Sequence, residues 1–157
     1  VLPNQTAFLA VLAHTEGTER AADPYRVCYG FKHTIVSFAQ HPYPGEWKGE
    51  SLASLGGKYV HEISTAAGRY QINHLSWADG AEKLGLTDFT PSSQDDWALW
   101  KIKTLGALVL VNAGLITEAC AGCCGTWASL PGGKSGQPED SMADILDFYA
   151  RAGGTSI

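Results

Sequence analysis

No apolar run in this 157-residue chain approaches the length of a membrane span. Stretches such as Ala107 to Val111 fall far short of the roughly 20 residues a spanning helix needs. No cluster of Lys and Arg stands out, and the formal net charge is −5, which argues against nucleic acid as a partner. A basic start followed by an apolar stretch and a small-residue cleavage site is also missing, so no signal peptide is visible. The chain opens at Val1 rather than Met, which leads to the expectation that an upstream segment has been removed. Charged residues make up only 17% against 45% hydrophobic, which excludes a disordered chain and describes a folded, soluble one. The length suits a single domain over residues 1–157 with a real core. No internal repeat is evident.

Two tempting motifs are incomplete. Gly132-Gly133-Lys134-Ser135 looks like the end of a phosphate-binding loop, but Ala128 stands where the earlier Gly is required, and no strand precedes it. His61-Glu62 could open a zinc-protease helix, but Thr65 occupies the second His position. The cysteines are four: Cys28, then Cys120, Cys123 and Cys124 on one face of a helix. Zinc sites pair two separated clusters, so no metal is expected, and no organic cofactor is implied either. Small buried thiols are the expectation. An oxidising compartment would open one disulfide involving Cys28, and among the three complete pairings of four cysteines the sequence does not choose.

What is present begins with Ala13-His14-Thr15-Glu16-Gly17-Thr18. A helix is expected from Pro3-Asn4 to about Thr15, and Phe8 and Leu12 stand eight and four residues before Glu16, on the same face. A carboxyl at the end of an apolar stripe is partly desolvated, which raises its pKa toward the range of a general acid. Gly17 lets the chain turn away and leaves that carboxyl at a lip. The bland alternative is an ordinary polar residue at a helix C-terminus, although a Glu there opposes the helix dipole.

From Tyr25 to Phe38, Val27, Tyr29, Phe31, Thr34, Ile35 and Val36 favour short strands, and His41-Pro42-Tyr43-Pro44-Gly45 reads as a turn. A small irregular β lobe is therefore expected over about residues 25–59. Gly68 would let a backbone approach a ligand closely, and Tyr70 and Gln71 offer hydrogen-bonding groups suited to a neutral polyol such as a sugar. The same stretch reads equally well as a tight turn entering a helix, with Tyr70 half buried. Helices follow: Leu75 to Leu84, ending at Gly85; one capped by a Ser92–Asp95 box and running as a buried central helix to about Val111; a third over about 116–127; and a last over about 140–152.

Taken together, Glu16-Gly17-Thr18, Ala67-Gly68-Arg69-Tyr70-Gln71 and Leu84-Gly85-Leu86-Thr87-Asp88-Phe89 with Pro91 and Ser93-Gln94-Asp95 resemble the lambda-type phage endolysins. So do Trp127-Ala128-Ser129-Leu130-Pro131-Gly132 with Gly136-Gln137, and the closing Ala152-Gly153-Gly154-Thr155, all in the same order. The similarity covers nearly the whole chain and is least between about Tyr25 and Lys58, apart from His41-Pro42. One departure precedes the acid, where His14 replaces an aromatic Trp.

The resemblance implies an α+β, lysozyme-like fold, a helical lobe and a small β lobe flanking a saccharide-binding cleft. It implies lytic transglycosylation of peptidoglycan glycan strands between N-acetylmuramic acid and N-acetylglucosamine, leaving 1,6-anhydromuramic ends. Glu16 falls on the catalytic acid, Gly68, Arg69, Tyr70 and Gln71 on the glycan-binding motif, and Trp127, Ser129 and Leu130 on the segment lining the cleft. The expected protein is a monomer without membrane insertion, held in the host cytoplasm until another protein opens the membrane, and acting on periplasmic peptidoglycan. Hydrolytic lysozyme is the alternative reaction, with Glu19, Asp23, Glu46, Glu50 and Glu62 as candidates for its second carboxylate. A non-catalytic wall-binding module is the alternative from another class.

Overall fold

The computed structural model describes residues 1–132 and 140–157. Gly133, Lys134 and Ser135 of the incomplete phosphate-loop motif, and the Gly136-Gln137 pair, lie outside the described residues. The chain forms two compact units, one of Val1–Glu19 with Ala98–Ile157 and the other of Arg20–Trp97. No described helix is long and apolar enough to cross a membrane.

The first unit is helical. Helix α1 (Pro3–Thr15) starts on Pro at its first position, and the Gln5 side chain accepts from the Leu2 N–H at 3.1 Å. Ala7, Phe8, Leu9, Val11, Leu12 and Ala13 are all buried, so α1 is apolar around most of its circumference and forms the unit's centre. It packs on α4 (Leu108–Ala113) and α6 (Met142–Arg151), and α4 packs on α5 (Ile116–Cys123). Helix α6 begins where the Ser141 hydroxyl accepts from Asp144 N. The C-terminal tail is stitched to α1 by Asn4, which donates to Thr155 O and accepts from Thr155 N at 2.9 Å.

Two helix boundaries differ from expectation. Helix α3 (Pro91–Thr104) does not run on to Val111, because Gly106 adopts φ +75° and turns the chain into α4. The apolar residues continue through the break, so hydrophobic periodicity alone does not mark it. Helix α3 is buried on one face, at Trp97, Ala98 and Ile102, with Lys103 and Thr104 exposed. Its cap is Thr90, whose hydroxyl accepts from Ser93 N at 3.4 Å, and not the Ser92–Asp95 box. Helix α5 ends at Cys123 rather than near Trp127, as Gly125 follows its last turn.

The second unit carries little regular structure. Strand β1 (Glu50–Ser51) pairs antiparallel with β2 (Ile63–Ser64), Glu50 opposite Ser64 and Ser51 opposite Ile63. The expected strands of 25–38 are reduced to single bridges, Val27 with Thr34 and Cys28 with Ala67. Side chains take the place of a ladder there. Arg26 donates to Ile35 O and Val36 O, and the Glu46 carboxylate accepts from Val36 N and Ser37 N. Helix α2 (His74–Leu84) is closed by Gly85, as expected, and is capped at its start by Asn73, whose side chain accepts from Ser76 N. Buried aromatic packing holds it in place: Trp77 meets Phe89 edge to face at 4.7 Å. His41 is buried in the same region, its Nε2 bonded to Ile72 O and its Nδ1 accepting from Tyr43 N, an arrangement only the neutral ring satisfies.

Candidate active site

Glu16 is the residue that caps α1. Its N–H still donates to Leu12 O at 3.0 Å and its backbone stays helical (φ −76°, ψ −8°). Gly17 then adopts φ +74°, a conformation open to glycine without a Cβ clash, and reverses the chain. Thr18 is fully buried and its hydroxyl donates back to Ala13 O at 3.3 Å, so the turn after the acid is fastened to the helix before it. His14 and Glu19 close the outer side, Nδ1 to Oε1 at 2.5 Å. The His14 ring stacks on Phe148 at 4.1 Å.

Burial raises the Glu16 pKa above the ordinary carboxyl value, and a hydrogen bond from Ser129 works against that rise. The Ser129 hydroxyl donates to Glu16 Oε1 at 2.9 Å across 113 residues of sequence. Ser129 sits in a turn closed by Leu130 N to Trp127 O at 3.0 Å. Trp127 is 3% exposed and Leu130 not at all, so both act as buried anchors on either side of Ser129. Leu130 therefore cannot line a cleft directly, and Trp127 has almost no surface with which to do so.

Gly68, Arg69, Tyr70 and Gln71 are together in the second unit, while Glu16, Trp127, Ser129 and Leu130 belong to the first. Gly68 has φ +78°, and a Cβ there would overlap the Gln94 carboxamide. The space expected to admit a ligand is thus filled by the protein itself. Gln94 is fully buried. It accepts from Arg69 N and donates to Tyr25 O and Phe89 O. Tyr70 has no exposed surface, so it is neither half buried nor open to a sugar, and its hydroxyl donates to Asp95 at 2.5 Å. Tyr25 donates to the same carboxylate at 3.0 Å, and Arg69 donates to both tyrosine oxygens at 2.8 and 3.1 Å. Gln71, at φ +50°, donates to Val27 O and Gly68 O. Arg69 and Gln71 keep partial exposure.

Sequence reasoning did not foresee the Tyr25–Asp95–Tyr70 cluster. A signal existed for the adjoining Gln94 bonds: Ser93 and Gln94 share the buried face of α3 with Trp97 and Ala98, and a polar residue on an apolar face needs a partner. All four cysteines are free thiols. Burial pushes Cys28, Cys120 and Cys123 up to about 12, so these three stay protonated. No His, Cys, Asp and Glu group among the described residues could hold a metal ion.

The candidate second carboxylates are mostly occupied. Glu19 pairs with His14, Asp23 with Arg26 at 3.1 Å, Glu50 with Lys32 at 2.5 Å, and Glu46 with His33 at 2.8 Å.

A half-buried acid closing the first helix, in a chain that also carries a small irregular β unit, is what a lysozyme-like α+β protein combines. The sequence model described as Endolysin matches residues 6–156, and the chain belongs to that family. The endolysin of Escherichia phage lambda is 37% identical over 154 residues, covering 95% of this chain and 90% of its own. The endolysin of Escherichia phage P2 is 35% identical over 161 residues, covering 96% and 93%. Among solved structures, bacteriophage lambda lysozyme in complex with a chitohexasaccharide superposes with TM-score 0.87 at 34% identity, covering 100% of this chain and 98% of that one. A second lambda lysozyme structure gives TM-score 0.85 at 33% identity, with the same coverage. The chain is thus a lysozyme-like enzyme of cell-wall degradation.

Proposed function

We propose that the chain cleaves peptidoglycan as a lytic transglycosylase, with Glu16 serving first as acid and then as base. The observation that carries this is a Glu16 carboxyl desolvated enough to retain its proton above the ordinary range, held at Oε1 by the Ser129 hydroxyl. Protonated Glu16 donates to the glycosidic oxygen of N-acetylglucosamine as the bond to the muramic anomeric carbon breaks. The muramic C6 oxygen then bonds that carbon, and its proton goes to the Glu16 carboxylate. The acid is regenerated and no water is consumed. Attack by an oxygen within the same sugar has the advantage of proximity over solvent.

Four of the five candidate second carboxylates are engaged, which supports this reading over hydrolysis, and the exposed Glu62 is the candidate left to a hydrolase. Glu19, Asp23, Glu46 and Glu50 each face a cation or a histidine rather than standing free to activate water. Arg69 and Gln71, the partly exposed members of their motif, are assigned to the glycan, and the chain is taken to act as a monomer. The lambda relative's complex with a chitohexasaccharide supports a glycan ligand here. Chitin oligomers are expected to bind and to resist cleavage, since they lack the lactyl group of muramic acid. The same reading has the enzyme accumulate in the host cytoplasm and reach the periplasmic wall through a lesion made by another protein, which cell fractionation before and after lysis tests.

Mass spectrometry of a digest made in 18O-labelled water tests the reaction. Anhydro-ended muropeptides, one water lighter than hydrolysed ones and free of label, are expected. Labelled reducing ends rising with bond cleavage would make the enzyme a hydrolase.

A further inference from the structure

The Trp127–Leu130 turn belongs by resemblance to the sugar-facing part of the molecule, yet its one polar side chain there is turned onto the acid. We propose that Ser129 is a positioning residue, whose hydroxyl fixes which oxygen of Glu16 carries the transferable proton. The inference rests on Glu16 being the acid.

A serine hydroxyl has one proton to donate. Donated to Oε1, it makes that atom the carbonyl-type oxygen of the neutral acid and leaves Oε2 to bear the proton. The bond serves both protonation states, and it strengthens when Glu16 becomes a carboxylate, since a charged acceptor holds a hydroxyl more tightly than a neutral one. It therefore stabilises the form of Glu16 that must take a proton back. The surroundings make the hydroxyl hold its place. Trp127 and Leu130 are buried on either side, and the Leu130 N to Trp127 O bond closes the turn. Glu16 is fixed from its own side by the Leu12 O bond and the buried Thr18. Neither group reaches the other by flexibility; both are built into the meeting point.

The test is a carboxyl-carbon NMR titration of Glu16 in the wild-type protein and in Ser129→Ala, Ser129→Cys and Ser129→Thr, with kcat and KM on purified peptidoglycan. Loss of the donor in Ser129→Ala is expected to move the Glu16 pKa upward and to carry the alkaline limb of activity with it. The kcat is expected to fall about 10-fold, the order expected for one hydrogen bond to a charged group, with KM nearly unchanged. Ser129→Cys, isosteric with a weak S–H donor, moves the same way and keeps the test sound if Ala loosens the turn. Ser129→Thr keeps the hydroxyl and restores the wild-type titration. A Glu16 titration indifferent to both Ala and Cys overturns the proposal, as does a loss confined to KM, which would put Ser129 on the glycan. The titration is independent of the reaction: a Glu16→Gln enzyme that still clears the wall defeats the proposed function, not this reading of the hydrogen bond.

Discussion

Glu16 and Glu46 are the same side chain in two units of one protein, and they differ in how many donors reach them. Among the described residues, the Glu16 carboxyl accepts one hydroxyl, from Ser129. Glu46 accepts the Val36 N–H at 2.6 Å, the Ser37 N–H at 3.1 Å and His33 Nε2 at 2.8 Å. Burial pushes both carboxyls upward. At Glu46 the bonds from Val36, His33 and Ser37, with the His33 charge, outweigh burial and hold the carboxyl below the usual range. At Glu16 the single bond does not, and the carboxyl stays above it. A carboxylate given enough donors becomes part of the scaffold, here the substitute for a strand pair. One desolvated and left nearly alone keeps a proton to give away.

The largest expected effect comes from removing that proton. Glu16→Gln retains volume and the Ser129 contact, and should lower wall clearing by about 1,000-fold or more in a turbidity assay. The same variant should melt at a higher temperature near neutral pH. The folded-state pKa of Glu16 lies above its unfolded value, so ionisation disfavours the fold. The stability Glu16 permits at low pH is lost as pH rises from the ordinary carboxyl value through the raised one, and Gln escapes that loss.

Next comes the Gln94 polar network, an extension of the Glu46 pattern. Gly68→Ala strains a φ of +78° and drives its Cβ into Gln94, which ties Arg69, Tyr25 and Phe89 together. A loss of about 3 kcal/mol is expected in denaturant unfolding. A loss near zero would mean that the network is slack.

Glu46→Gln should cost about 1 kcal/mol at neutral pH, a modest sum because the site is partly exposed. Since the folded pKa of Glu46 is depressed, its contribution is present above the ordinary carboxyl range and lost as pH falls through the folded value. Wild type and Glu46→Gln should therefore converge in stability on acidification.

The smallest effect concerns a group with too few partners. Tyr149 is fully buried and its hydroxyl has no hydrogen-bond partner among the described residues. Tyr149→Phe should be stabilised by about 0.5 kcal/mol, read as a small rise in Tm.

These contrasts explain what the sequence could disclose. Glu16 was legible because its setting is local: an apolar stripe at helical spacing, then Gly17. The start of α1 and the end of α2 were legible for the same reason, being marked by Pro3 and Gly85. Ser129 could be assigned to the functional region only by family resemblance, since its partner lies 113 residues away. Asp95 was read as half of a Ser92–Asp95 capping box because its partner Tyr25 is about 70 residues distant and nothing local announces it. Two-residue strands are too short to show alternation, and Gly106 was overlooked within an apolar run that continues on both sides.

Site-resolved carboxyl titration of the free wild-type enzyme, set beside the pH dependence of kcat/KM, tests the central claim most directly. Glu16 should titrate above the ordinary glutamate value of about 4.3 and Glu46 below it, with the alkaline limb of kcat/KM following Glu16. Glu16 titrating at or below that value, or an alkaline limb that does not move with it, would contradict the assignment of Glu16 as the acid.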